Sequence, residues 1–335
     1  MKKVAVAVLA VALLVLCVVV PVNANAPEVT HDDTFHFTRQ QGSLGGADYE
    51  IFMPDSWNGH LVIGVRGYSH DEPAITDTNM HGLGMSFMKS SASKKFAYAW
   101  STYGEGGFCV KAGIIRTHQL TQFVVDNYNV LGKVILIGFS MGGQIALMLA
   151  EKYPGQYDGV LDVCGNKDMS TFYNYWNDLW MRPSPNEIRS YLNGPPAYIP
   201  PFVTALFTDS NCNGLRNGAP TVMSDVETEC DGTPESKPQA YDRLSPTHHA
   251  GITIPVISLI ARLDFIVPLK QFVEYYDAVD AAGCLEYYRS YTITGPLGVF
   301  HCDSNMVAAT MAKFPVLMGW VLSGTGPTAT PRPAP

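Results

Sequence analysis

Ser140 stands in Gly138-Phe139-Ser140-Met141-Gly142, directly behind the apolar run Val134 to Ile137 and directly ahead of a helical pattern. That spacing predicts strand, sharp turn and helix, with the serine at the apex and glycines where strand and helix close on one another. A serine hydroxyl is a weak nucleophile at neutral pH, so it needs a base within hydrogen-bond reach and a carboxylate to orient that base. Asp264, in Arg262-Leu263-Asp264-Phe265-Ile266-Val267-Pro268, follows the apolar run Ile254 to Ala261. His301, in Gly298-Val299-Phe300-His301-Cys302, follows the next strand pattern and precedes the last helix. In an open parallel sheet, ligands meet the carboxyl ends of the strands, which is where all three residues fall. Nucleophile, orienting acid and base together predict acyl transfer. His70, His81, His248 and His249 are read instead as cap, loop or helix residues.

The elements that must carry these residues alternate along the chain. Phe35 to Gln40 and Tyr49 to Met53 predict an antiparallel pair at a sheet edge, and His60 to Val65 a buried strand closed by Arg66-Gly67-Tyr68-Ser69. Met80 to Lys95 predicts a helix and Phe96 to Ser101 a strand. Ile114, Ile115, Leu120, Phe123 and Val124 mark an amphipathic helix before the strand that ends at Ser140. Gln144 to Tyr153 predicts a helix and Gly159 to Val163 a buried strand. Beyond the cap described next, Ile254 to Ala261, Leu269 to Val279, Leu285 to Thr294 and Asn305 to Leu322 resume as strand, helix, strand and helix. This alternation implies a mostly parallel α/β sheet covered by helices on both faces.

Between about 166 and 251 the period is lost, Pro, Gly and Asn accumulate, and Phe172, Tyr173, Tyr175, Trp176, Trp180, Tyr191 and Tyr198 cluster. A structureless loop of that length is improbable in a compact domain, so the segment is read as an inserted cap of short helices.

The order Ser140, Asp264, His301, each past the end of a strand, resembles the α/β-hydrolase superfamily over roughly residues 33 to 323 apart from the cap. The resemblance implies a serine esterase acting through an acyl-enzyme. It also implies an oxyanion hole made by the N–H of Met141 and by that of Gly67 or Tyr68. Arg66-Gly67 replaces the common His-Gly pair of that loop, which leaves backbone donors in place but brings a cation to the site. His301-Cys302 resembles the histidine half of the pattern of tannases and fungal-type feruloyl esterases, where a cysteine beside the serine is bonded to the one after the histidine. Here Phe139 precedes Ser140, so Cys302 is left with Cys109 or Cys164 as partner. Cys284, at the far end of the last strand and about 20 Å away, is expected to be unpaired. Cys212 and Cys230 read as a staple within the cap. A serine peptidase, an acyltransferase and a non-catalytic binding protein are the alternatives on the same scaffold.

Composition sets the outer limits. With 335 residues, 47% hydrophobic and 16% charged, the chain can bury a large core. Its formal charge of -8, more negative still without Lys2 and Lys3, gives no footprint for nucleic acid. Lys2 and Lys3, the apolar run Val4 to Val20, and Val22-Asn23-Ala24 predict a signal peptide over 1–24, with an uncleaved anchor as the alternative. The expected location is secreted or periplasmic. No other stretch is expected to span a bilayer, and no N-x-[ST] sequon is present. Six cysteines beyond the signal suit an oxidising compartment and disulfide bonding. Asp209 to Gly214 has the spacing of half a calcium loop, but Pro220 stands where the closing acid would be, so neither metal nor cofactor enters the reading. Residues 25–323 then form the hydrolase-like domain, and 324–335, rich in Pro, Thr and Gly, predict a flexible tail. The expected partner is a small-molecule or polymer-derived ester.

Overall fold

Along the strand that leads to Ser140, Val134 and Leu136 belong to one apolar layer, and Ile135, Ile137 and Phe139 to the other. Every residue of this strand, β6 (Val134–Phe139), is buried, as a central parallel strand requires. The computed structural model describes residues 27–76, 79–90, 95–181, 218–264, 266–295 and 299–333.

Nine strands make one sheet: β1 (Glu28–Asp32), β2 (Phe37–Leu44), β3 (Ala47–Pro54), β4 (Leu61–Val65), β5 (Ala97–Ser101), β6, β7 (Gly159–Val163), β8 (Val256–Ala261) and β9 (Tyr288–Ile293). Their spatial order is β1-β2-β3-β5-β4-β6-β7-β8-β9. The pairs from β1 to β5 are antiparallel, and those from β5 through β9 are parallel. The chain runs from β4 outward to β5 and returns to place β6 on the other side of β4. The ends of β4 and β6 therefore flank the point where connections diverge, the crevice at which open α/β sheets bind ligands. One face is covered by α2 (Val110–Tyr128), α3 (Met141–Lys152) and the helix Leu269–Ala281. The other is covered by α1 (Asn79–Lys89) and the helix Ser304–Ser323.

The described parts of the cap are helical: α4 (Met169–Met181), α5 (Gly218–Cys230) and α6 (Pro238–Arg243), then a 3-10 turn at Pro246–His248. The helices after the cap are α7 (Leu269–Ala281) and α8 (Ser304–Ser323). Tyr191, Tyr198, Cys212 and the Asp209–Gly214 loop lie outside the described residues, as does the segment expected to be a signal peptide.

Three expectations need correction. First, α8 is long and apolar enough to cross a membrane by length and composition, contrary to the expectation that only the N-terminal run is. It packs on β7 and β8, with Met306, Phe314, Leu317 and Trp320 buried, so its apolar character serves the core. Second, the tail is pinned along the edge strand. Thr330 Oγ1 accepts the Ser290 N–H at 2.9 Å, the Pro327 carbonyl accepts Arg289 Nε at 2.8 Å, and Arg332 grips Asp277 through two contacts of 2.6 Å. An exposed sheet edge offers unpaired N–H groups, and the tail satisfies one of them. Third, Leu285–Tyr287 forms a 3-10 turn, so the last strand is shorter than the Leu285 to Thr294 expected from the sequence.

Candidate active site

Ser140 sits between β6 and α3 with φ 56° and ψ −123°, a conformation that costs about 1–3 kcal/mol for a residue with a side chain. Its N–H donates to the Val163 carbonyl on β7 at 2.8 Å, which helps hold the turn. The flanking glycines are required by contact distance. A Cβ on Gly138 would lie 2.1 Å from the Gly142 carbonyl oxygen, and one on Gly142 would lie 2.0 Å from that of Val65. The strand can thus turn into the helix only with hydrogen at both positions, and the Ser140 side chain is carried clear of both.

The loops after β8 and β9 bring the other two side chains to this hydroxyl. His301 Nδ1 donates to Asp264 Oδ2 at 2.8 Å, leaving Nε2 to accept the Ser140 hydroxyl at 2.8 Å. Asp264 Oδ1 accepts the N–H groups of Ile266 and Val267, both at 2.9 Å, which fixes the carboxylate. The Asp264 and His301 side chains are 1% and 9% exposed, so their interaction is little screened by water. Burial opposes the charged form of His301, but the Asp264 carboxylate and, less strongly, Cys164 together outweigh it and raise the imidazole above its ordinary 6.5. The arrangement can deprotonate the Ser140 hydroxyl and hold the resulting imidazolium.

Met141 is the first residue of α3, so its N–H has no intrahelical acceptor, and the positive end of the helix dipole lies at the serine. Gly67 follows β4 so closely against the turn that a Cβ there would be 3.2 Å from Ser140 Cβ. Gly67 and Tyr68 line the same cavity as Ser140 and His301. The residues expected to form an oxyanion hole therefore lie together around the hydroxyl.

That cavity has a volume of about 440 Å³ and is walled by Tyr68, Met80, Phe108, Phe172, Trp176 and Ile266. Two of these, Phe172 and Trp176, come from the aromatic cluster of the cap, on α4. Tyr68 OH donates to Asp225 on α5 at 2.9 Å, joining the loop after β4 to the cap. Of the other histidines, His81 faces Glu50 and His248 faces Asp168 and Asp242, away from the serine.

Two residues that the sequence raised, Arg66 and Cys164, have environments that it did not show. Arg66 also lines the cavity but is buried, and its guanidinium is taken up by backbone carbonyls. Cys164, past the end of β7, adjoins His301 and Cys302, and the three ligand-type atoms lie within 4.8 Å of one another. All five cysteines among the described residues are free thiols: Cys109, Cys164, Cys230, Cys284 and Cys302.

Residues 115–195, which include the serine turn, match the model of the family named Esterase. No curated protein matches the sequence. Among solved structures, the chain resembles a puromycin-hydrolyzing peptidase of Mycobacterium tuberculosis, with TM-score 0.58 and 14% identity over 89% of this chain and 42% of that one. It also resembles the acylaminoacyl peptidase of Pyrococcus horikoshii, with TM-score 0.56 and 13% identity over 87% of this chain and 42% of the other. Carboxyl esterase 2 of the fungus Tuber melanosporum aligns with TM-score 0.53 and 13% identity, over 87% and 86% of the two chains. The chain thus spans about two fifths of the peptidases, 42% of each, and most of the esterase. With its strand order, its serine turn and these neighbours, the chain has the α/β-hydrolase fold.

Proposed function

We propose that this protein is a serine hydrolase that cleaves carboxylic esters through an acyl-enzyme. The observation that carries the reading is the unbroken line of hydrogen bonds from Asp264 through His301 to the Ser140 hydroxyl, opening onto an apolar cavity. Ser140 Oγ attacks the ester carbonyl while its proton passes to His301 Nε2. The N–H groups of Met141 and of Gly67 or Tyr68 receive the negative charge that develops on the carbonyl oxygen. His301 then gives its proton to the departing alkoxide, which leaves as an alcohol. Water, deprotonated by His301 in turn, releases the acid and regenerates the serine.

The Esterase family match and the esterase neighbour support ester substrates, and the aromatic wall favours an acyl or alcohol group with an apolar or aromatic part. The peptidase neighbours supply a second reading, amide cleavage, with the same residues. Acyl transfer to an alcohol would also use them. Product analysis with matched ester, peptide amide and alcohol acceptor separates the three. Ser140→Ala should lower turnover of a p-nitrophenyl ester about a millionfold, and retention of most activity would refute the assignment.

Secretion is part of the proposal and is supported by the basic and apolar pattern of residues 1–24. In an oxidising compartment Cys164 and Cys302 are the described thiols placed to form a disulfide, which peptide mapping of the secreted protein would detect as a linked pair.

A further inference from the structure

Arg66 is 3% exposed, and among the described residues no carboxylate lies within 4.0 Å of it. A buried cation without an acid is costly unless other groups replace its hydration, and here backbone oxygens do so. Nε donates to the Thr102 carbonyl at 2.8 Å, Nη1 to the Gly67 carbonyl at 3.0 Å, and Nη2 to the Glu105 carbonyl and to Cys109 Sγ. The guanidinium also lies 4.3 Å from the centre of the Tyr103 ring, whose hydroxyl returns to the Arg66 carbonyl at 3.2 Å. The group is therefore fixed on several sides.

One of those bonds bears on the site. The Gly67 carbonyl and the Tyr68 N–H belong to one trans peptide plane and point in opposite directions. Holding the carbonyl on the guanidinium therefore sets the direction of the N–H. Among the described residues that N–H has no backbone acceptor.

We propose that Arg66 is a positioning residue for the oxyanion hole, which holds the Gly67–Tyr68 peptide so that the Tyr68 N–H faces the carbonyl oxygen of the substrate. Its charge, close behind that peptide, adds to the field favouring the tetrahedral oxyanion. Lysine cannot replace it, because an ammonium lacks the planar fork that spans three carbonyls.

The inference rests on the ester hydrolysis proposed above, and the test keeps the two apart. An oxyester and its thionoester counterpart are compared in wild type, Arg66→Met and Arg66→Lys, with rates expressed per folded molecule. The sulfur of a thionoester is a weak hydrogen-bond acceptor, so its reaction draws less on the donors. Both variants should lose about tenfold to a hundredfold in kcat on the oxyester, with KM little changed, and the oxyester-to-thionoester ratio should fall by about tenfold. A wild-type ratio in the folded variants overturns the inference, as does full recovery in Arg66→Lys. Failure of both variants to fold also overturns it, because the guanidinium would then be holding the fold. If wild-type protein hydrolyses no ester, the proposed function itself falls.

Discussion

Two adjacent strands of the sheet each supply a buried carboxylate paired with a buried base, and they end in opposite situations. Asp162 lies within β7, and Lys167 reaches it at 2.6 Å, both side chains being 0% exposed. Asp162 also accepts the Ser258 hydroxyl and the Gly165 N–H, while Lys167 donates to the Gly165 carbonyl and sits 4.4 Å from the Phe272 ring centre. Burial pulls the Lys167 ammonium below its ordinary range, with Asp162 opposing. Neither residue lines the cavity that holds Ser140. Asp264, past the end of β8, is held by two N–H groups and His301, but His301 has a second nitrogen, and that nitrogen meets a hydroxyl at the cavity. Burial and pairing alone do not mark a reactive site. A pair does so when it passes its polarity to a group that substrate can reach.

This contrast can be broken by cutting each pair. Asp264→Asn should lower kcat about ten-thousandfold, because the orienting acceptor and the proper tautomer of His301 are lost, while thermal stability changes little. In wild type, activity requires neutral His301, so the rate should rise with pH through its pKa. Because Asp264 holds that pKa up, the acid limb of the kcat/KM profile should have its midpoint above 6.5. A midpoint at or below that value would mean that the carboxylate does not govern the base.

Lys167→Met should do the reverse of Asp264→Asn. Leaving Asp162 buried without its cation should cost about 3–5 kcal/mol in denaturant unfolding, with kcat per folded molecule changed less than about tenfold. A large loss of kcat at full stability would place this pair in the chemistry. The smallest effect belongs to Tyr68→Phe, which removes the hydroxyl from Asp225 and loosens the cap from the loop after β4. About 1 kcal/mol is expected, seen as a roughly fivefold fall in kcat/KM for esters that fill the cavity.

The pair at the cavity was more legible in the sequence than the Asp162–Lys167 pair, for a physical reason. Ser140 and Asp264 follow apolar runs and His301 follows a strand pattern, and such segments are marked locally, so the strand ends could be placed without tertiary information. Gly159–Val163 was legible as a strand for the same reason, but its Asp162 gave no sign of Lys167 as partner, since that pairing depends on how a loop folds back. Arg66 is a similar case: its acceptors and sulfur contact lie 36 to 43 residues farther along the chain, at Thr102, Glu105 and Cys109, apart from the neighbouring Gly67. β1 was missed because Glu28–Asp32 is exposed and carries little apolar alternation, its place coming from pairing with β2. The tail was misread because composition reports stiffness and polarity, whereas Thr330 and Arg332 are placed by an edge strand and a helix distant in sequence.

The proposed role of Ser140 is that of a nucleophile activated by His301 and Asp264. Its most direct measurement is reaction of the folded protein with a fluorophosphonate, followed by peptide mass mapping and by the rate of labelling in variants. One adduct is expected, on the peptide bearing Ser140, absent in Ser140→Ala and formed at least about a hundredfold more slowly in His301→Ala. No adduct, an adduct on another residue, or labelling in His301→Ala at the wild-type rate would contradict it.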